Sequence, residues 1–65
     1  MELKINGETK EFDEMCLFDI IIKSDLDLAR VAVELNGIII PRSEFKTTIL
    51  KNGDSLEIVH FVGGG

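Results

Sequence analysis

The chain has 65 residues, 45% of them hydrophobic and 29% charged, with a net charge of −5 at pH 7. That length makes one small domain, which buries only about 60% of the surface its unfolded chain exposes and has no room for a deep catalytic cleft; the apolar content excludes an intrinsically disordered chain. Twelve acidic residues against seven basic ones, with no basic run, exclude nucleic acid and disfavour anionic membranes, because phosphate contacts need clustered Lys and Arg.

A single cysteine, Cys16, makes no internal disulfide and no multi-cysteine zinc site, so no metal is expected. Met1-Glu2-Leu3-Lys4-Ile5 lacks the basic and apolar regions of a signal peptide. No apolar run approaches the roughly 18 residues of a membrane span. A cytoplasmic protein, monomeric when free, is the expectation.

The elements follow from periodicity. Met1, Leu3 and Ile5 alternate with Glu2, Lys4 and Asn6, the period-two pattern of a strand with one apolar face. Asn6-Gly7 is a two-residue type I′ hairpin signal, since both residues tolerate positive φ. Residues 8–12 are the returning strand; they are polar apart from Phe12 and the Thr9 methyl, so the strand belongs at a sheet edge. Leu17, Ile20, Ile21 and Ser24 recur at helical spacing and predict the buried stripe of a short amphipathic helix, with Asp13 and Glu14 placing negative charge near its start. The three consecutive isoleucines leave a strand over residues 19–23 as the competing reading.

Residues 25–30 read as a polar connection, and Val31-Ala32-Val33-Glu34-Leu35 as a second clear strand. Asn36-Gly37 repeats the turn signal, Ile38-Ile39-Ile40 continues extended, and Pro41 ends that run because it cannot donate to a ladder. Residues 42–48 form a short connection with room for one helical turn. Lys51-Asn52-Gly53-Asp54 is another tight turn. The last strand is predicted over residues 55–62, with Leu56, Ile58, His60 and Val62 on one face and Glu57, Val59 and Phe61 on the other. Apolar residues on both faces make it central.

A mixed sheet of four or five strands with one helix across one face accommodates this order. The last strand lies parallel to the first, with the helix in the right-handed crossover. That is an α+β fold of the β-grasp, or ubiquitin-like, kind. Residues 1–62 form the domain and residues 63–65 a flexible C-terminal tail.

No side-chain constellation supports catalysis, so the chain is not read as an enzyme. His60 reads as a partly exposed strand residue. Cys16 reads as a small residue at the helix start, with a reactive thiol as the alternative. Asp25 and Asp27 are solvated charges. A phosphate-binding glycine loop belongs between a strand and a helix, whereas Gly63-Gly64-Gly65 follow a strand and precede nothing in this sequence.

Those glycines are the anomaly. A terminal glycine triplet is commonly a frayed end. Here it follows a buried strand directly, so the fold aims it. Three extended residues reach about 10 Å. Without Cβ atoms they are slim enough to thread a narrow channel. The terminal carboxylate, with an ordinary pKa of about 3.5, is ionised at neutral pH. The molecule reads as a handle that delivers its own C-terminus into another protein's active site.

Val59, Phe61 and Val62 beside the tail are candidates for the partner-binding surface. Val59 and Phe61 point away from the helix, either exposed on the open sheet face or covering a second small core under residues 42–48. Arg42 is either a polar contact at the rim or a solvated loop charge.

The ordered set Ile5-Asn6-Gly7-Glu8, Val31-Ala32-Val33-Glu34-Leu35-Asn36-Gly37, Ile40-Pro41-Arg42-Ser43-Glu44-Phe45, Asn52-Gly53-Asp54-Ser55-Leu56-Glu57-Ile58-Val59 and Phe61-Val62-Gly63-Gly64-Gly65 resembles the thiamine-biosynthesis sulfur carrier (ThiS) family over nearly the whole chain. One departure is Cys16, where the family commonly has Thr; it touches the helix cap and not the tail. The resemblance implies that an E1-like adenylyltransferase, using ATP and Mg²⁺ that the carrier itself does not bind, adenylates the Gly65 carboxylate. A persulfide donor, charged by a cysteine desulfurase or a relay, then converts it to a thiocarboxylate. Thiazole synthase accepts the sulfur. Gly63 and Gly64 stay slim so that both enzymes can enclose the end. Two other functions share these features: a carrier for another pathway, such as the small subunit of molybdopterin synthase, and a ubiquitin-like modifier joined to target lysines.

Overall fold

The computed structural model describes residues 1–62. In chain order the elements are strands β1 (Glu2–Ile5) and β2 (Glu8–Glu11), helix α1 (Leu17–Lys23), a first 3-10 turn (Leu28–Arg30), strands β3 (Val31–Leu35) and β4 (Ile38–Ile40), a second 3-10 turn (Arg42–Glu44) and strand β5 (Ser55–His60). They form one five-stranded sheet in the order β2-β1-β5-β3-β4. β5 runs parallel to β1, with Lys4 beside Ser55 and Ile5 beside Leu56. It runs antiparallel to β3, from Val31 beside His60 to Leu35 beside Leu56. The central, parallel last strand and the single crossing helix are the β-grasp arrangement that the periodicity predicts.

Both hairpin turns adopt the predicted geometry. Asn6 and Gly7 have φ of 50° and 85°, and Asn36 and Gly37 have 50° and 86°. Positive φ at both central positions is the type I′ requirement. β2 is exposed along its whole length, as an edge strand of Glu, Thr and Lys should be.

The core gathers one face of every layer: Leu3 from β1, Leu17, Ile20 and Ile21 from α1, Val31 and Val33 from β3, Leu56 and Ile58 from β5, and Phe45 and Leu50 from the segment between β4 and β5. Residues 19–23 are helical, so the competing strand reading fails. The predicted stripe needs one correction. Ser24 is the exposed C-cap, and its hydroxyl donates to the Ile20 carbonyl at 2.8 Å instead of packing inward. Residues 25–30 are less polar in effect than in composition. Leu26 and Leu28 pack against the core, and the Asp27 carboxylate caps the first 3-10 turn by accepting from the Ala29 amide at 2.9 Å.

Candidate functional site at the end of the central strand

The site is built where β5 runs out. Leu56 and Ile58 are buried, and Glu57 and Val59 face outward. The predicted strand continued to Val62 with His60 and Val62 on the covered face. The structure ends the strand at His60 and stops the burial at Ile58. The His60 ring instead lies against the connection after α1, where Nε2 accepts the Asp27 amide at 3.3 Å. Beyond it the Phe61 amide donates to the Arg30 carbonyl at 2.8 Å. That bond is the last hold on the backbone before Val62, which is 89% exposed.

Val59 and Phe61 are 54% and 57% exposed, so the open-face reading holds and no second core covers them. Val59 sits opposite Ala32 of β3, which is also exposed. Val59, Phe61 and Val62, at and just beyond the end of β5, therefore stand in water within four residues of each other. Exposed apolar groups at a chain exit are the composition of a docking surface. Arg42 lies elsewhere. It opens the second 3-10 turn, and its guanidinium donates to the Ala29 carbonyl at 3.3 Å. It touches the same first 3-10 turn that holds Phe61, so it flanks the exit without joining the apolar patch. Gly63, Gly64 and Gly65 lie outside the described residues.

Farther along the open face, Glu34 and Glu57 stand directly opposite each other, both exposed. Like charges at that register destabilise a sheet. An acidic pair thus borders the apolar patch on the side away from the exit.

Two asparagines fix β5 in place, and the periodicity gave no sign of this. Asn6 Oδ1 accepts the Ile58 amide at 2.7 Å, and its Nδ2 donates to the Ile58 carbonyl at 3.1 Å. Asn36 Oδ1 accepts the Ser55 amide at 2.9 Å, and its Nδ2 donates to Asp54 Oδ1 at 3.0 Å. Each turn thus does more than reverse the chain: its side chain extends the ladder onto the central strand from either side. Buried Asp54 completes the second clamp by accepting the Lys51 amide on Oδ2 at 2.8 Å. The repeated Asn at the first turn position was the available signal, since Gly would satisfy the φ alone.

Cys16 is a free, partly exposed cysteine at the start of the helix. It precedes α1 without capping it. Its Sγ lies 3.5 Å from the Phe45 carbonyl and 3.4 Å from that of Lys46, and its one proton serves either. Together with the bridge to Ile49, this ties the helix start to the segment before β5. Among the described residues, no three of His, Cys, Asp and Glu converge to hold a metal ion. Among the described residues no helix is long and apolar enough to cross a membrane.

The described residues form a β-grasp body whose central strand runs out beside an exposed apolar patch. The sequence matches the ThiS family over residues 3–65, and the chain belongs to that family. Its structure is similar to the crystal structure of the thiamine biosynthesis protein ThiS from Geobacter metallireducens, with a TM-score of 0.84, 32% identity and full coverage of both chains. In sequence it is 39% identical over 66 residues to a thiazole synthase of Paramagnetospirillum magneticum and 36% identical over 66 residues to the uncharacterized protein ycf40 of Pyropia yezoensis. The chain spans 93% of the second protein but only 20% of the first, about a fifth of the length of the thiazole synthase it matches.

Proposed function

We propose that this protein is the sulfur carrier of thiazole formation in thiamine biosynthesis, acting through the carboxylate of Gly65 and contributing no catalytic side chain of its own. The observation that carries the reading is the exit geometry within a ThiS-family chain: a clamped central strand that stops at His60 and releases Phe61 and Val62 into solvent beside Val59. Gly63-Gly64-Gly65 follow in sequence without a spacer. The proposed setting is the cytoplasm, with the free carrier a monomer.

The chemistry needs two partner enzymes. A carboxylate resists nucleophilic attack until one oxygen becomes part of a good leaving group. In the first step a Gly65 carboxylate oxygen attacks the α-phosphorus of ATP on an E1-like adenylyltransferase, and pyrophosphate leaves with Mg²⁺. In the second step the terminal sulfur of a persulfide donor attacks the acyl carbon and AMP leaves. A thiol then attacks the donor-side sulfur of that acyl disulfide, forms a new disulfide with the donor, and expels the acyl sulfur as the thiocarboxylate on Gly65. Its sulfur is anionic and polarizable, a competent nucleophile toward the substrate of a thiazole synthase. The match to a thiazole synthase five times longer supports that enzyme as the acceptor, since a segment like this carrier lies within the same polypeptide.

The body's role is presentation. The apolar patch of Val59, Phe61 and Val62 seats against a partner, and Gly63 and Gly64 pass through a channel too narrow for side chains. Incubation of the protein with the adenylyltransferase, ATP, Mg²⁺ and a sulfur donor is expected to add the mass difference of one oxygen-to-sulfur exchange at the C-terminus, read by intact-mass spectrometry. Deleting Gly65 or making Gly64→Val abolishes the exchange without unfolding the domain. Unchanged charging of either variant would refute the reading. Deletion of the coding sequence is expected to cause a requirement for thiazole; loss of molybdenum cofactor, or lysine conjugates in place of the mass shift, would assign the chain to another pathway.

A further inference from the structure

We propose that the cavity between α1 and the two 3-10 turns is a second docking pocket, which takes a large apolar side chain of the charging enzyme presented next to a carboxylate. The inference rests on the carrier reading above. The cavity holds about 280 Å³ and is lined by Phe18, Leu28, Arg42, Ser43, Phe45 and Lys46. Phe45 is buried, and Phe18 and Leu28 are half-buried against the core, so the lining is apolar except at its cations and Ser43. The volume falls just below the range of about 300–1,000 Å³ typical of small-molecule sites and suits one side chain. Anchor residues of protein interfaces fill pockets of this kind.

The charges select the occupant. Lys46 Nζ sits 4.9 Å from the centroid of the Phe18 ring, and the Arg42 guanidinium spends one donor on the Ala29 carbonyl. Among the described residues neither cation has a carboxylate within ion-pair distance, whereas Lys23 has Glu14 at 3.4 Å and Arg30 has Asp27 at 3.5 Å. In a chain of net charge −5, two unmatched cations at one apolar cavity form a local reversal of sign. An apolar side chain beside an acid complements both features, and Arg42 still offers donors in the fork geometry that a carboxylate accepts.

The position ties the pocket to the tail. Leu28 lines the cavity, the next carbonyl along, that of Ala29, holds Arg42, and the next again, that of Arg30, holds the Phe61 amide. Three consecutive residues therefore connect the pocket to the point where the chain leaves the sheet. An enzyme that encloses the terminus has this cavity within reach on the helix side while it covers Val59 on the open side.

The test is steady-state charging of the full chain by the E1-like adenylyltransferase of its own cell, with the carrier concentration varied. Lys46→Glu and Ser43→Trp, which reverses a charge and fills the cavity respectively, are each expected to raise KM for the carrier by about tenfold or more while leaving kcat in place, because neither alters the tail sequence. Lys10→Glu makes the same charge change on the β2 edge and is expected to leave KM unchanged. Thermal melts of the variants check that each is folded. A KM raised by Lys46→Glu but not by Ser43→Trp would mean charge steering without a pocket and would overturn the proposal, as would wild-type KM in both. If the wild-type chain is not charged at all, the carrier reading itself fails; if it is charged and the two variants match it, only the pocket falls.

Discussion

The two faces of the sheet divide the work of one strand. On the covered face, Leu56 and Ile58 of β5 join Leu3, Val31 and Val33 beneath Ile20 and Ile21 of the helix, and almost nothing there meets water. On the open face the same strand shows Glu57 and Val59, with Glu34 and Ala32 beside them on β3. Along β5 the covered face is packed at Leu56 and Ile58. The open face breaks two rules at once, with large apolar groups in water and like charges in register. On β5 the features that cost stability fall on the open side, the side that the proposed function uses.

The largest effect is expected at Ile20. Ile20→Asp puts an unpaired charge into the thin core and is expected to cost about 4 kcal/mol or more, enough to unfold the domain in a denaturant titration. Val59→Asp places the same charge on the open face and is expected to move stability by only about 0.5 kcal/mol while impairing partner binding. Similar losses at both positions would erase the distinction. Next in size is Asn36→Gly, which keeps the turn's backbone angles and removes only the side-chain clamp on Ser55 and Asp54. Asp54 is then left buried with one bond fewer, and a loss of about 1–2 kcal/mol is expected in thermal or chemical melts.

Glu57→Lys runs the other way. Replacing a like-charge pair with an opposite-charge pair across β3 and β5 is expected to raise stability by roughly 0.2–1 kcal/mol, and a gain coupled to weaker partner binding would show what the acidic pair is kept for. The smallest effect is at Glu14. Its own backbone amide holds the carboxyl below the usual carboxylate range, against a smaller desolvation that acts upward, and Lys23 at 3.4 Å adds to the lowering. A folded-state value below the unfolded one stabilises the fold above about pH 4.3, the ordinary value of Glu, and that contribution disappears as pH falls through the lowered value. The melting difference between wild type and Glu14→Gln is therefore expected to shrink on acidification; a difference independent of pH would remove the assignment.

Much of the fold was legible because period and turn chemistry agree. The alternation around Leu3, the helical spacing of Leu17, Ile20 and Ile21, and the two Asn-Gly pairs specify element and register together. The two-sided apolar pattern placed β5 in the centre. What escaped the sequence depends on contacts between distant segments. Ser24 fits the helical stripe by spacing, yet its position at the helix end turns it to the last carbonyls. His60 and Val62 fit the strand alternation, yet the cover stops at Ile58 and leaves them outside. The exposure of Val59 and Phe61 was one of two open alternatives, because only the placed second 3-10 turn decides whether a cover exists. The facing pair Glu34 and Glu57 needed the β3–β5 register, which no local pattern contains.

The placement of β5 between a parallel and an antiparallel neighbour also has a mechanical side. The ladder bonds of a sheet run across the strands. A pull applied at Val62 acts along β5, so the bonds to β1 and β3 and both asparagine clamps are sheared together instead of being opened one at a time from an edge. A load applied to the chain at that point is therefore shared between both neighbouring strands.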